Sequence, residues 1–318
     1  MKIGSLYNLD SFKSFQDSIK TSGFADSFAG SVLARNLTAV DPKVFEKKFP
    51  ELAFVNSGVQ ADNSGGYAKR IQSLRIQALG GFRSAGDASD NKGKISLAGE
   101  DNFIKVTERQ AESKWTDSEI KEAELQGINL PQRYVQYHNA IYLREVDEIG
   151  LTGGELGNEG LLNFSGFDAT AAGGAVDTLT AIQMYDAIAT LVIEQRNAVN
   201  NTPEYSANRV CMPVPVMNKL QVTILNTAAG SSSVMKALQD NFPDVAFMAS
   251  FRAADVGGSS ATVAYSNSDE AMKMRIPLAL TIGEIIKLGS FNFHVDSKYR
   301  IAGLDVLENT AGRILTGL

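Results

Sequence analysis

Two histidines, one cysteine and a scatter of carboxylates are the groups from which this chain could build a catalytic or metal centre. His138 and His294 are its only histidines, and Cys211 is its only cysteine. A zinc site is commonly assembled from Cys-x2-Cys or His-x3-His pairs, and neither spacing occurs. Nucleophilic catalysis needs an activated serine or cysteine, yet there is no G-x-S-x-G elbow and no histidine near Cys211 in sequence. Cys211 stands among Val210, Met212 and Val214, the pattern of a buried strand in which a thiol is inert packing. His138 falls inside a long helical stretch and reads as a packed or capping residue.

Two glycine- and acid-rich stretches invite a ligand reading and fail it. The run Gly153-Gly154-Glu155-Leu156-Gly157-Asn158-Glu159-Gly160 has the glycine density of a phosphate cradle. It follows a helix instead of a strand, and its two carboxylates repel phosphate, so a turn is the better reading. Asp87, Asp90 and Asn91 loosely resemble a calcium loop, but no glutamate closes it at the required offset, which leaves a solvated loop tip. No Walker loop is present. No catalytic, cofactor-binding or metal-binding residue is therefore assigned, no cofactor is expected, and the chain is read as a non-enzyme.

The totals narrow the field further. The 318 residues are 44% hydrophobic and 21% charged, with a mean hydropathy of -0.10, ordinary values for a protein with one or two cores. A net charge of -6 without a Lys/Arg cluster argues against tight nucleic-acid binding, which draws its affinity from phosphate neutralisation. The most apolar run, Ala187 to Ile193, is followed by Glu194 and Arg196 and falls short of the roughly 18 to 20 residues of a membrane helix. Met1 to Lys20 lacks the apolar core of a signal peptide. A soluble protein in a reducing compartment, with no membrane association, is expected.

The elements that position these residues begin with an amphipathic arm. Asp10 can cap a helix with Phe12, Phe15 and Ile19 on one stripe, continued by Phe24, Phe28 and Val32. Asp41-Pro42 starts a short turn that stops at Pro50. From Tyr67 the period changes to that of a strand. Leu74, Ile76 and Ala78 alternate with Ser73, Arg75 and Gln77, and a second run holds Phe103, Ile104, Val106 and Thr107 amid Lys105, Glu108 and Arg109. A Gly/Ser/Asp-rich tip from Gly80 to Gly99 joins them. The result is a two-stranded ribbon reaching about 40 Å at roughly 3.3 Å per residue. Such a ribbon is marginal alone in water, and a neighbour is expected to hold it.

Thr116-Asp117-Ser118-Glu119 is a capping box for a short helix ending near Gly127. Pro131 opens a longer helix with Val135, Tyr142, Val146 and Ile149 on one stripe. Thr180 and Gln183 form a second box. Beyond Pro203 the pattern predicts a strand over Arg209 to Val216, helices over Met217 to Asn226 and Ser231 to Asp240, and strands over Val245 to Phe251 and Thr262 to Tyr265. Phe291, Phe293 and Val295, then Tyr299 to Gly303 and Leu304 to Leu307, close the chain with further extended segments. This mixed portion holds enough apolar material for its own core.

Arm, long ribbon, tryptophan with short helix, long helix, glycine-rich turn and mixed lobe, in that order, resemble the major capsid proteins of tailed bacteriophages. Their Hong Kong 97-type fold is shared with encapsulins. The sharpest likeness runs through Trp115-Thr116-Asp117-Ser118-Glu119-Ile120, the helix after Leu130, and Gly157-Asn158-Glu159-Gly160-Leu161-Leu162-Asn163. Ala207 to Leu220, Asn241-Phe242-Pro243-Asp244-Val245 and Lys298-Tyr299-Arg300-Ile301-Ala302-Gly303-Leu304 are similar to later segments of the family. Each motif alone is nonspecific; together they span nearly the whole chain in order.

The resemblance implies an α+β fold with an N-terminal arm (1–66), an extended loop (67–114), a peripheral domain with a long spine helix (115–160 with 282–303) and an axial domain (161–281 with 304–318). It implies self-assembly as pentamers and hexamers into an icosahedral head enclosing double-stranded DNA without sequence-specific binding. The assembly site would be the virion capsid, built in the bacterial host cytoplasm. Only a short arm precedes the ribbon, so no cleaved N-terminal segment is expected. The partners implied are then a separate scaffolding protein, a portal and a cement protein. Some relatives weld their shells through Lys-Asn isopeptide bonds; Lys92 and Lys94 sit at the matching loop tip, but without an assignable asparagine and glutamate they read as ordinary solvated lysines. An encapsulin-type nanocompartment is the alternative. In either case Arg70, Arg75, Glu108 and Arg109 are expected to meet charges on a neighbour, Ile76 and Val106 to bury apolar area there, and Phe12 and Phe15 to supply a further contact.

Overall fold

The computed structural model describes residues 52–81, 94–125, 127–227 and 230–318. The arm with Phe12 and Phe15, the Asp41-Pro42 start and Lys92 lie outside the described residues. Lys48–Lys121 and Asn129–Leu318 form one compact unit, to which the account below refers; Glu122–Ile128 belong to another.

After a two-residue strand β1 (Ala61–Asp62) the chain runs out along β2 (Arg70–Gly80) and back along β3 (Ile95–Lys105), then enters β4 (Thr107–Thr116). Helices α1 (Asp117–Leu125) and α2 (Leu130–Thr152) follow. Next come β5 (Asp168–Ala171), α3 (Ala181–Ala198), β6 (Arg209–Pro213), α4 (Val214–Val222), β7 (Ile224–Thr227), β8 (Gly230–Ser233) and α5 (Val234–Asn241). Strands dominate the remainder: β9 (Ala246–Ser250), β10 (Ala261–Tyr265), β11 (Met272–Arg275), β12 (Leu278–Ile282), β13 (Ile286–Leu288), β14 (Asn292–Ile301), β15 (Gly303–Val306) and β16 (Gly312–Thr316).

The helices start where local chemistry dictates. The Thr116 hydroxyl accepts from the Glu119 amide while the Glu119 carboxylate accepts from the Thr116 amide, and Thr180 with Gln183 repeats the arrangement before α3. Asn129 caps α2 by accepting from the Gln132 amide, with Pro131 in the first turn. The far end of α2 is closed by the glycine-rich turn. Gly153 takes the left-handed conformation, and the chain then doubles back so that Leu161 and Leu162 amides donate to the carbonyls of Gly150 and Leu151. The Asn163 side chain donates to the Thr152 carbonyl. Three carbonyls that a helix end leaves without partners are thereby satisfied, while Leu161 and Leu162 themselves go into the core.

A five-stranded mixed sheet in the order β5-β16-β10-β6-β9 separates two cores. Alternation sends Cys211, Val263, Tyr265 and Ile314 to one face and Val210, Met212, Ala264 and Leu315 to the other. The second face is covered by α3, α4 and α5 through Ile188, Val192, Leu220 and Leu238. The first face meets the end of α2 (Val146, Ile149, Leu151), Phe54 and the small sheet β1-β11-β15. In a further sheet the long strand β14 pairs along one edge with β4 and along the other with β12 and β13.

Several segments differ from the sequence reading: Val214–Val216, predicted as strand, opens α4, and Ser231–Ser233, predicted as helix, belongs to β8. The run from Phe103 to Arg109 is not one strand: pairing with β2 ends at Lys105, and Thr107 onward pairs with β14 instead. The predicted helix over Met217 to Asn226 ends at Val222, because Ile224–Thr227 pairs with Gly230–Ser233 as a hairpin. Phe293 to Ile301 is a single strand without the predicted break. The apolar stripe of α2 also sinks gradually, with Val146 and Ile149 buried while Val135 and Ile141 stay exposed.

Candidate assembly interface

The ribbon of β2 and β3 pairs residue for residue from Arg70 with Lys105 to Gly80 with Ile95. Because directly opposed residues share a face, its two faces can be read from the register. One carries Leu74, Ile76, Ile95, Leu97 and Phe103, with relative exposures of 60%, 60%, 60%, 74% and 58%. The opposite face carries Ile71, Ser73 and Arg75 together with Ile104 and Asn102. The exposed apolar side chains of the ribbon are thus concentrated on one of its sides.

The base of the ribbon is tied down through its other face. Ile71 and Val106 are buried together with Ala302, and the Val106 amide donates to the Lys69 carbonyl, which turns the chain out of the ribbon. Two residues further along, on the same face, the Ser73 hydroxyl donates to the carboxylate of Asp305, a residue buried in β15. The Arg275 guanidinium donates to Asp305 at 2.9 Å and to Ser73 at 3.0 Å, and it also pairs with Asp62. The Ser64 amide, donating at 2.8 Å, holds the Asp62 carboxyl below the usual carboxylate range, with Arg275 acting in the same direction. Sequence reading named Ser73 only as a polar position of the strand and named none of Asp305, Arg275 and Asp62; the bonded pairs among them lie 30 to 232 positions apart along the chain.

The expected contact residues divide into two groups. Arg70 is exposed, Ile76 lies in the apolar stripe, and Arg75 is half-buried on the opposite face. Val106, Glu108 and Arg109 are engaged within the chain. Val106 is covered at the ribbon base, Glu108 pairs with Arg300 at 3.4 Å, and Arg109 pairs with Glu155 at 3.0 Å. Val106, 7% exposed, keeps little apolar surface of its own at the point where the strand ends after Lys105. Leu97, Ile95 and Phe103 are exposed apolar residues of the ribbon that the sequence reading did not single out as contacts; their alternation was masked by the intervening Ser96, Gly99 and Asp101. Phe12 and Phe15 are outside the described residues.

Beside the ribbon, α2 lies against the inner face of the β4–β14 pair. Trp115 stacks on Tyr134 with ring centroids 4.9 Å apart, Tyr142 meets Tyr299 edge to face, and the Tyr299 hydroxyl donates to Glu145. His138 is buried between two hydroxyls, Ser113 at 2.8 Å from Nε2 and Ser297 at 2.6 Å from Nδ1. With both nitrogens spent on serines and no carboxylate to orient the ring, this is a stitch between helix and sheet and not a charge-relay set. Burial pushes the Cys211 thiol up to about 12, which removes it as a thiolate nucleophile. Among the described residues no nucleophile, base and acid come together.

A family model for "Major capsid protein" matches residues 84–318. No curated protein sequence matches the chain. Among solved structures, a chain from the capsid of Myoviridae Phage XM1 is similar at 42% identity with a TM-score of 0.81, covering 90% of this chain and 98% of that one. A chain from the capsid of an empty GTA particle is similar at 15% identity and a TM-score of 0.62, covering 87% and 95%. One from Microbacterium phage Oxtober96 is similar at 13% identity and a TM-score of 0.64, covering 92% and 99%. At the two lower identities the likeness is one of fold.

Proposed function

The chain belongs to the phage major capsid proteins of Hong Kong 97-type fold, and from that premise we propose that its copies assemble as pentamers and hexamers into an icosahedral head enclosing double-stranded DNA. The observation that carries this reading is the one-sided apolar stripe of the ribbon. Each such side chain yields about 1.5 to 3 kcal/mol when fully covered, whereas exposed ion pairs yield about 0 to 1 kcal/mol. Apolar burial on an adjacent copy is therefore the main term, and closed symmetry multiplies it.

In this reading the segments 67–114 reach across subunits, 115–160 with 282–303 form the peripheral domain, and 161–281 with 304–318 form the axial domain. The arm, 1–66, adds contacts through Phe12 and Phe15. The net charge of -6 suits a container wall that DNA must slide past. A separate scaffolding protein, a portal and a cement protein complete the virion, which is assembled in the host cytoplasm. Deleting Gly81 to Gly99 tests the proposal: the variant is expected to keep a cooperative unfolding transition and to form no shells in negative-stain micrographs. Normal shells from that variant would refute it.

A further inference from the structure

We infer that helix α1 of one copy docks on the root of the ribbon of a second copy, with Glu122 facing Arg70 and Lys105 and Leu125 covering Phe103. The inference rests on the proposed assembly of like copies and names one of its contacts. The register of the ribbon builds the cationic side. Arg70 stands directly opposite Lys105, and Gln72 opposite Phe103 is the next pair on that face. Like charges directly opposed across paired strands repel each other. Both cations are exposed, and neither has an ion-pair partner among the described residues. From its root outward the free face of the ribbon therefore presents two cations, then Phe103 and Leu74. Such a surface fits a carboxylate set beside an apolar side chain.

Helix α1 carries that combination and lacks a cover of its own. No residue of this 9-residue helix is buried, and isolated helices shorter than about 12 to 15 residues are marginal in water. Leu125 at its end is 88% exposed, more than any other large apolar side chain among the described residues. Glu119, Glu122 and Leu125 recur every third position and share one face. Asp117 is already paired with Lys121, and the Glu119 carboxylate accepts from the Thr116 amide. Glu122 has no partner among the described residues, which makes it the carboxylate on offer. Glu122 and Leu125 are about 4.5 Å apart along the helix axis, and Lys105 and Phe103 about 6.6 Å apart along the strand. Side chains of this length span the difference, so charge meets charge where apolar meets apolar.

Particles assembled from a mixture of isotopically light and heavy full-length copies provide the test. A carbodiimide joins an amine to an adjacent carboxylate without a spacer. Mass spectrometry is expected to find Lys105 joined to Glu122 in pairs that carry one label of each kind. Lys105→Glu and Glu122→Lys should each lower the pelleted particle fraction about tenfold at low salt, and the two together should restore it to within about twofold of the parent. Both positions are exposed, so thermal melts of the variants should match the parent's; if one does not fold, the cross-link in the parent decides. Parent particles that lack the Lys105–Glu122 link, that join Lys105 to another carboxylate, or whose single reversals assemble normally would overturn this contact and leave the assembly reading standing. A parent that forms no particles would overturn both.

Discussion

Ser73 on the ribbon and Asp305 in β15 share a hydrogen bond across 232 positions of sequence. Arg275 donates to both, so a residue near the root of an outreaching ribbon is locked to a buried carboxylate of the main body. The lock sits on one face of the ribbon; the apolar stripe sits on the other. The ribbon is thus fixed at its root and free to offer one side to another molecule.

Removing this lock should cost stability in graded steps. Ser73→Ala loses a hydrogen bond to a charged acceptor, a loss of about 1.5 to 3 kcal/mol. Asp305→Ala leaves the largely buried Arg275 without its inner partner, for about 3 to 5 kcal/mol. Urea midpoints of the purified variants check the order: Asp305→Ala below Ser73→Ala, and both below the parent.

The turn that closes α2 depends on a glycine. Gly153 has φ +81°, and a Cβ there would come 1.7 Å from the Asn158 carbonyl oxygen. Gly153→Ala is expected to destabilise by about 1 to 3 kcal/mol through backbone strain and overpacking. A matching substitution at Gly157, where nothing lies within 4 Å of the added carbon, should cost less despite its own positive φ. Paired thermal unfolding curves give the comparison.

Two aspartates should pull the pH profile in opposite directions. Burial raises the Asp147 carboxyl above its ordinary value of 3.8, against the opposing Phe54 amide and Arg252. Its stabilising contribution is complete below 3.8 and is lost as pH rises through the raised value. Asp62, lowered by the Ser64 amide, contributes above 3.8 and loses that contribution as pH falls through its lowered value. Unfolding free energies of Asp147→Asn should therefore fall less than the parent's as pH rises above about 4. Those of Asp62→Asn should fall less on acidification below it.

Much of this was legible in the sequence because it is local. The boxes at Thr116–Glu119 and Thr180–Gln183 span three residues, and the period of Leu74 and Ile76 marks β2 without reference to anything distant. The Ser73–Arg275–Asp305 cluster could not be read, because three unremarkable polar residues acquire their partners only when β2, β11 and β15 meet. The β7–β8 hairpin was hidden because Met217, Leu220 and Ile224 also satisfy a helical spacing; pairing with Ser231 to Ser233 decided the outcome. At Val106 the strand pattern ran on unbroken, and the switch from one sheet to another depends on its burial against Ile71 and Ala302.

The apolar stripe should matter for assembly and not for folding. Leu97→Lys together with Phe103→Ser changes residues exposed by 74% and 58%, so the unfolding free energy should stay within about 0.5 kcal/mol of the parent's. Sedimentation should show the particle fraction falling sharply. A double variant that assembles like the parent would remove the stripe from the interface.

The most direct measurement is a cryo-electron microscopy map of particles formed by the purified chain, traced through β2 and β3. The prediction is that Leu74, Ile76, Leu97 and Phe103 of each copy lie covered by a different copy. A map in which that stripe faces solvent, or is folded onto the body of its own subunit, would contradict the account.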